Sequence, residues 1–199
     1  AARRHVEQGC TGIVSDDGLQ HYRLCRDLEI AVIDSTRRFG NRLCLPAGPL
    51  REPVSRLRSV SVRVANGVPE TGELGMALEP TGFYNLAEPE RRAATDQFRD
   101  GPVHALAGIG NPDRFFSSLR GLGLSVIPHP FPDHHGFLPG ELEFSDDRPV
   151  IMTEKDAVKC EPFATARCWV LAVEARPDAA LGEQVLKRLK ETIRGQEAA

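Results

Sequence analysis

The chain has 199 residues, 41% of them hydrophobic and 27% charged, with a formal net charge of −3. That balance fits one substantial globular domain or two small ones and excludes disordered, collagenous and heptad-repeat chains. No run approaches the ~18 uninterrupted apolar residues of a spanning helix, and the charged opening Ala1 to Gly12 does not read as a signal peptide.

Ala1 to Gln8 reads as the tail of a helix stopped at Gly9, so the chain is expected to be a carboxy-terminal piece of a longer protein. Thr11–Ser15 predicts a short buried strand ending in Asp16 and Asp17, and Leu28–Asp34 a second strand rich in β-branched residues. Arg38 to Pro53 is punctuated by Gly and Pro and predicts an ordered but irregular loop. Val60–Asn66 alternates and predicts a strand, Gly-rich Gly67 to Asn85 a hairpin or linker, and Pro89 to Arg99 a helix with Pro at an early position. Val103–Ile109 predicts a buried strand, followed by a helix capped by Asn111 with Pro112 at its first position. Leu124–Pro128, Pro149–Met152 and Trp169–Glu174 are further strands. Thr153 caps a helix through Lys159, and Leu181, Val185, Leu186, Leu189 and Ile193 stripe the last helix. Alternation of this kind predicts an α/β layered fold with a mainly parallel sheet. Its expected parts are an amino-terminal lobe over 1–66, a linker or hairpin region over 67–90 and a carboxy-terminal α/β lobe over 91–199.

The charge is uneven. Residues 1–60 hold ten Lys and Arg against seven Asp and Glu, and Arg37, Arg38, Arg42, Arg51, Arg56 and Arg58 are opposed there only by Glu52. Such a cationic surface suits an anionic ligand or is a solvated arginine face. Nucleic acid is disfavoured by a pI of about 6.1 and by the lack of aromatics among the arginines. Five cysteines with no C-x-x-C pair argue against a disulfide framework and for a reducing compartment.

Four segments can carry chemistry. SDDGLQH (Ser15 to His21) places two carboxylates at a predicted strand end, where open α/β sheets bind ligands and phosphate-transferring enzymes hold Mg²⁺; it also reads as a simple turn. HPFPDHHGF (His129 to Phe137) packs three histidines and an aspartate into seven residues between prolines, a stiff loop of candidate bases or metal ligands. In LPAGPLREP (Leu45 to Pro53) the prolines hold Arg51 and Glu52 in place, either for a sugar phosphate or as a structural ion pair. TEKDAVKC (Thr153 to Cys160) reads mainly as charged decoration of a helix start, with a packing or nucleotide-side role as the lesser reading. No G-x-x-x-x-G-K-[ST] is present, so a phosphate cradle for phosphoryl transfer would lie upstream of Ala1.

Taken in order, SDDGLQH, the aspartate of AVIDSTRRFGN, LPAGPLREP, GIGNPDRFF, HPFPDHH and MTEKDAVK resemble the tetraacyldisaccharide 4′-kinase family, the lipid A kinases of Gram-negative bacteria. The resemblance runs from about Gly9 to about Lys159. It implies a P-loop-kinase-like fold, incomplete at its amino end, and transfer of the γ-phosphate of Mg-ATP to the 4′ hydroxyl of a lipid-linked disaccharide 1-phosphate. It further implies a place at the cytoplasmic face of the bacterial inner membrane, reached through a membrane helix in the absent amino-terminal part. By the same resemblance Asp16 and Asp17 match the catalytic, Mg²⁺-binding carboxylates and Gly18 the nucleotide side. Gln20, His21, Arg51 and Glu52 match substrate-binding positions, and His134 a histidine that assists catalysis. Two other readings compete: a metal-dependent phosphoesterase built on Asp133, His134 and His135, and a non-catalytic glycolipid-binding lobe.

Overall fold

The computed structural model describes residue 10 and residues 12–197; the expected helix tail over 1–8, and Thr11, lie outside the described residues. Contacts divide the chain into two compact units. The first takes the chain up to Ala77 together with everything from Arg176 onward, and the second is Leu78–Ala175.

In the first unit β1 (Ile30–Asp34), β2 (Val62–Asn66) and the start of β3 (Leu74–Asn85) run parallel in that order. β1 ends in a carboxylate: Asp34 Oδ1 accepts the backbone N–H of Thr36 (2.8 Å) and of Arg37 (3.0 Å), closing the turn that follows. The strand expected over 11–15 does not form. Residues 12–15 have no strand neighbour and Val14 is fully exposed, and an apolar run without a paired edge gains nothing from being extended. α3 (Ala179–Glu197) closes the unit. Along its stripe Leu181 and Val185 are half-buried whereas Leu186 and Leu189 are exposed; the Ile193 side chain lies outside the description.

In the second unit the strand order is β3-β8-β7-β5-β6, with β4 (Arg92–Ala93) antiparallel on β3. β5 (Val103–Ala107) is buried at every residue, as a central parallel strand must be, and β6 (Val126–Pro130), β7 (Val150–Thr153) and β8 (Cys168–Pro177) belong to the same sheet. β6 and β7 flank β5 in parallel, and β8 runs parallel to β7. Alternate residues supply the two faces. Ala105, Ala107, Ile151 and Trp169 meet Phe115, Phe116 and Leu119 of α1 (Pro112–Gly121) on one face. Leu106, Met152 and Val170 meet Phe137, Leu142 and the buried Cys160 of α2 (Glu154–Cys160) on the other. Both predicted caps are present: Asn111 Oδ1 accepts from Arg114 N (3.3 Å), and Thr153 Oγ1 from Asp156 N (3.1 Å).

Two further expectations are corrected. The Gly-rich stretch 67–85 is mostly the 12-residue strand β3, in which Gly75 and Gly82 are strand residues and Gly82 takes φ +136°. The helix expected over 89–99 is replaced by β4 and a 3₁₀ turn, Thr95–Phe98. The reason is upstream, where buried Asn85 accepts the N–H groups of Ala87 and Glu88 (both 3.1 Å) and turns the chain back on β3.

Candidate active site

In the first unit SDDGLQH and LPAGPLREP meet. Arg51 Nη1 donates to Asp17 Oδ2 (3.1 Å) and to Gln20 Oε1 (3.4 Å), and Gln20 Nε2 donates to Glu52 Oε2 (2.8 Å). Tyr22 O–H donates to the other Glu52 oxygen. Asp17, Gln20, Arg51 and Glu52 therefore form one network. Asp16 serves the turn, accepting Asp17 N (2.9 Å), and Asp17 itself adopts φ +50°. Because the preceding strand is absent, the two carboxylates stand on an exposed turn rather than at a strand end. Gly18 O accepts Arg26 Nη1 (2.6 Å), and His21 is exposed, with its backbone N–H on Gly18 O (3.0 Å).

Behind this network lies a layer that the motifs did not reveal. Arg56 Nη2 donates to both carboxylate oxygens of Glu29 (2.7 and 2.9 Å), and its Nε lies 3.5 Å from Glu52. The Tyr22 hydroxyl and then the Gln20 amide hold the Glu52 carboxyl below the usual carboxylate range, and the same Glu52 bond raises the Tyr22 phenol. Tyr22 follows directly on SDDGLQH, so extending that motif by one residue would have found it. The expected field of unopposed arginines is corrected here: Arg38 pairs with Glu70 and Glu73, Arg56 with Glu29, and Arg51 with Asp17.

In the second unit the remaining motifs converge on Gly108, at the carboxy end of β5. Its N–H donates to Asp156 Oδ2 (3.0 Å), which also accepts the Thr153 hydroxyl (2.7 Å), while Lys159 Nζ donates to Asp156 Oδ1 (3.1 Å). Asp156 is fully buried, so its reading as surface decoration is wrong. A Cβ at 108 would stand 3.1–3.3 Å from Phe137, Asp156 and His135, so those side chains would have to give way to it. The neighbouring histidine loop is tied down residue by residue. Asp133 Oδ1 accepts Lys155 Nζ (3.3 Å) and His134 N (3.0 Å), and His135 Nε2 meets both oxygens of Glu141 (3.1 and 3.0 Å). His134 has φ +62° and an exposed ring. Asp133 and His135 thus turn to different partners, Lys155 and Glu141. Among the described residues no three His, Cys, Asp or Glu side chains converge as a metal centre requires, which weighs against the phosphoesterase reading.

His129, the first histidine of that segment, has a separate function in the fold. Its Nε2 lies 2.9 Å from Nδ1 of buried His104, whose Nε2 meets Asp146 Oδ1 at 3.0 Å and whose ring stacks on Phe144. Burial, and then His104, push the His129 imidazole below its ordinary value.

A sheet of mainly parallel strands with helices packed on it, and polar turns gathered by motif in each unit, defines a layered α/β protein. The family model for tetraacyldisaccharide-1-P 4′-kinase (LpxK) matches residues 1–190, and the chain belongs to that family. It is 54% identical over 191 residues to the tetraacyldisaccharide 4′-kinase of Alkalilimnicola ehrlichii, covering 93% of this chain and 56% of that protein. The corresponding enzyme of Nitrosococcus oceani is 50% identical, at 93% and 54% coverage, and that of Azoarcus sp. (strain BH72) 49% identical, at 96% and 58%. The chain thus spans little more than half the length of these relatives. LpxK from Aquifex aeolicus, solved in complex with ATP, shares the fold with a TM-score of 0.64 at 24% identity, over 86% of this chain and 56% of that one.

Proposed function

We propose that the protein carrying this chain transfers the γ-phosphate of ATP to the 4′ hydroxyl of a tetraacyldisaccharide 1-phosphate, at the cytoplasmic face of the inner membrane. The observation that carries this reading is the Asp17–Arg51–Gln20–Glu52 network, which unites two family motifs 34 residues apart on one surface. Phosphoryl transfer needs positioned charge more than covalent help. Arg51 is suited to anchor an anionic head group: its pair with Asp17 is exposed on both sides, so the guanidinium exchanges one anion for another at little cost. Gln20, His21 and Glu52 offer donors and acceptors to sugar hydroxyls. Asp16 and Asp17 are hard oxygen donors on one turn, and two carboxylates suffice for Mg²⁺, which completes its shell with water and nucleotide phosphates. When bound there, Mg²⁺ would neutralise charge on the phosphate oxygens. Gly18 brings the backbone close to the nucleotide, and His134 supplies an exposed imidazole for proton handling at the acceptor hydroxyl.

Steady-state kinetics on the full-length enzyme test this. Asp17→Ala and His134→Ala are expected to lower kcat by about a hundredfold or more, with folding intact. Arg51→Ala should chiefly raise KM for the disaccharide, because its contact is made in ground state and transition state alike. Near-native turnover by His134→Ala would reduce HPFPDHH to a structural loop.

A further inference from the structure

We propose that Lys155 is a positioning residue for His134, acting through Asp133, so that the TEKDAVK helix start fixes the orientation of the imidazole. This rests on the assignment of His134 made above.

An exposed imidazole on a left-handed backbone (φ +62°) has no packing to hold it and takes its direction from its neighbours. Here the neighbour is Asp133. One of its oxygens, Oδ1, is fixed by Lys155 Nζ at 3.3 Å and by the His134 N–H at 3.0 Å. The other, Oδ2, is thereby turned toward His134 Nε2 and stands 3.8 Å from it. That is longer than a hydrogen bond, and catalytic contacts of this kind commonly tighten only when substrate is bound. A carboxylate anchored at one oxygen and facing an imidazole with the other is the arrangement that selects a ring's orientation and tautomer. Burial pushes the Asp133 carboxyl up, but the Lys155 bond and charge outweigh it and leave Asp133 below its ordinary value, charged at neutral pH.

Lys155 is itself well placed to act as the anchor. It lies in the first turn of α2, and the next residue is the buried Asp156 that clasps Gly108 and Thr153. The ammonium therefore projects from a rigid base toward Asp133 and the exposed His134 ring beside it. The pair is half-exposed on both sides, at 50% and 45%, and pairs of that kind add little to stability. A large loss of turnover on breaking it would be a positioning effect and not a folding one.

The test uses the full-length enzyme and its two substrates, with His134→Ala as reference. Lys155→Met and Asp133→Asn are each expected to lower kcat about tenfold while KM for both substrates stays within about twofold, since orientation matters most in the transition state. The double variant should be no slower than Asp133→Asn alone, because one pathway is broken twice. Lys155→Arg should restore most of the rate, and melting temperatures should be unchanged. An impaired His134→Ala beside a Lys155→Met that turns over normally would overturn the coupling and leave the assignment of His134 standing. A near-native His134→Ala would overturn both. Losses that multiply in the double variant, or a raised KM in Lys155→Met, would show that Lys155 acts on a ligand directly and would likewise overturn the proposal.

Discussion

The turn at Asp17 and the turn at Gly108 both carry family motifs, yet they are secured by opposite means. Around Asp17, side chains restrain side chains at the surface: Asp17 is 76% exposed and Arg51 61%, and each hydrogen bond has solvent as a competitor. Around Gly108, a carboxylate with no exposure binds backbone, hydroxyl and ammonium at once, and the glycine's missing side chain is filled by neighbours. The first arrangement can exchange partners when an anion arrives. The second keeps one geometry whatever binds nearby.

The comparison is broken most directly at Asp156. Asp156→Ala leaves the Gly108 N–H and the Lys159 ammonium without their buried partner, and should cost about 3 kcal/mol or more. Thermal unfolding of the full-length protein measures this, and a loss below about 1 kcal/mol would mean that the clasp is dispensable. Gly108→Ala should follow at about 1–3 kcal/mol, the usual range for overpacking, because three neighbours must give way to its methyl group.

Acid separates the two regions without mutation. His129 is held neutral by burial and by His104, so its stabilising share is complete above its ordinary value near pH 6.5 and is lost as pH falls below it. His104 is the titratable group that faces it, with Asp146 on the other nitrogen of His104 and Phe144 against both rings. In the first unit Glu29, held low by Arg56, and Glu52, held low by Tyr22, keep their share until pH falls below roughly 4.3. Hydrogen exchange should therefore show β5 and β6 loosening between about pH 6.5 and 5, by at most about tenfold per pH unit for one proton. The turn at 16–22 should be unaffected over that interval. His129→Gln should remove the difference.

The smallest stability effect belongs to Arg51. Arg51→Ala should change the unfolding free energy by less than about 1 kcal/mol, as exposed ion pairs do, although it is expected to weaken substrate binding. A much larger loss would show that the first network is a structural brace after all.

Legibility from sequence followed locality. The caps at Asn111 and Thr153 and the buried run of β5 depend on residues adjacent in the chain, and they were read correctly. So was the layered, mainly parallel architecture, which follows from element order. The run at 12–15 failed because an apolar stretch becomes a strand only beside a partner, and nothing in its own composition says whether one exists. The helix at 89–99 failed because Asn85, four residues upstream, redirects the chain. Asp156 was misread because its burial depends on a glycine 48 positions away. In the network of the first unit Asp17, Gln20, Arg51 and Glu52 lie within motifs, whereas Arg56 and Glu29 have no motif to announce them. Their importance lies in a geometry that only folding creates.

The cysteines divide into two chemical populations. Cys160 and Cys168 are buried, and burial pushes the Cys160 thiol up to about 12, so almost none of it is thiolate at neutral pH. Cys10 and Cys25 are exposed, and Cys25 adjoins Arg26, whose guanidinium grips the Gly18 carbonyl. A thiol-reactive fluorophore would therefore modify the native protein close to the SDDGLQH turn while the core thiols stay silent. With Cys10 and the half-buried Cys44 replaced by Ser, a dye on Cys25 becomes an optical reporter of that turn, able to register the arrival of nucleotide or head group without any enzymatic readout.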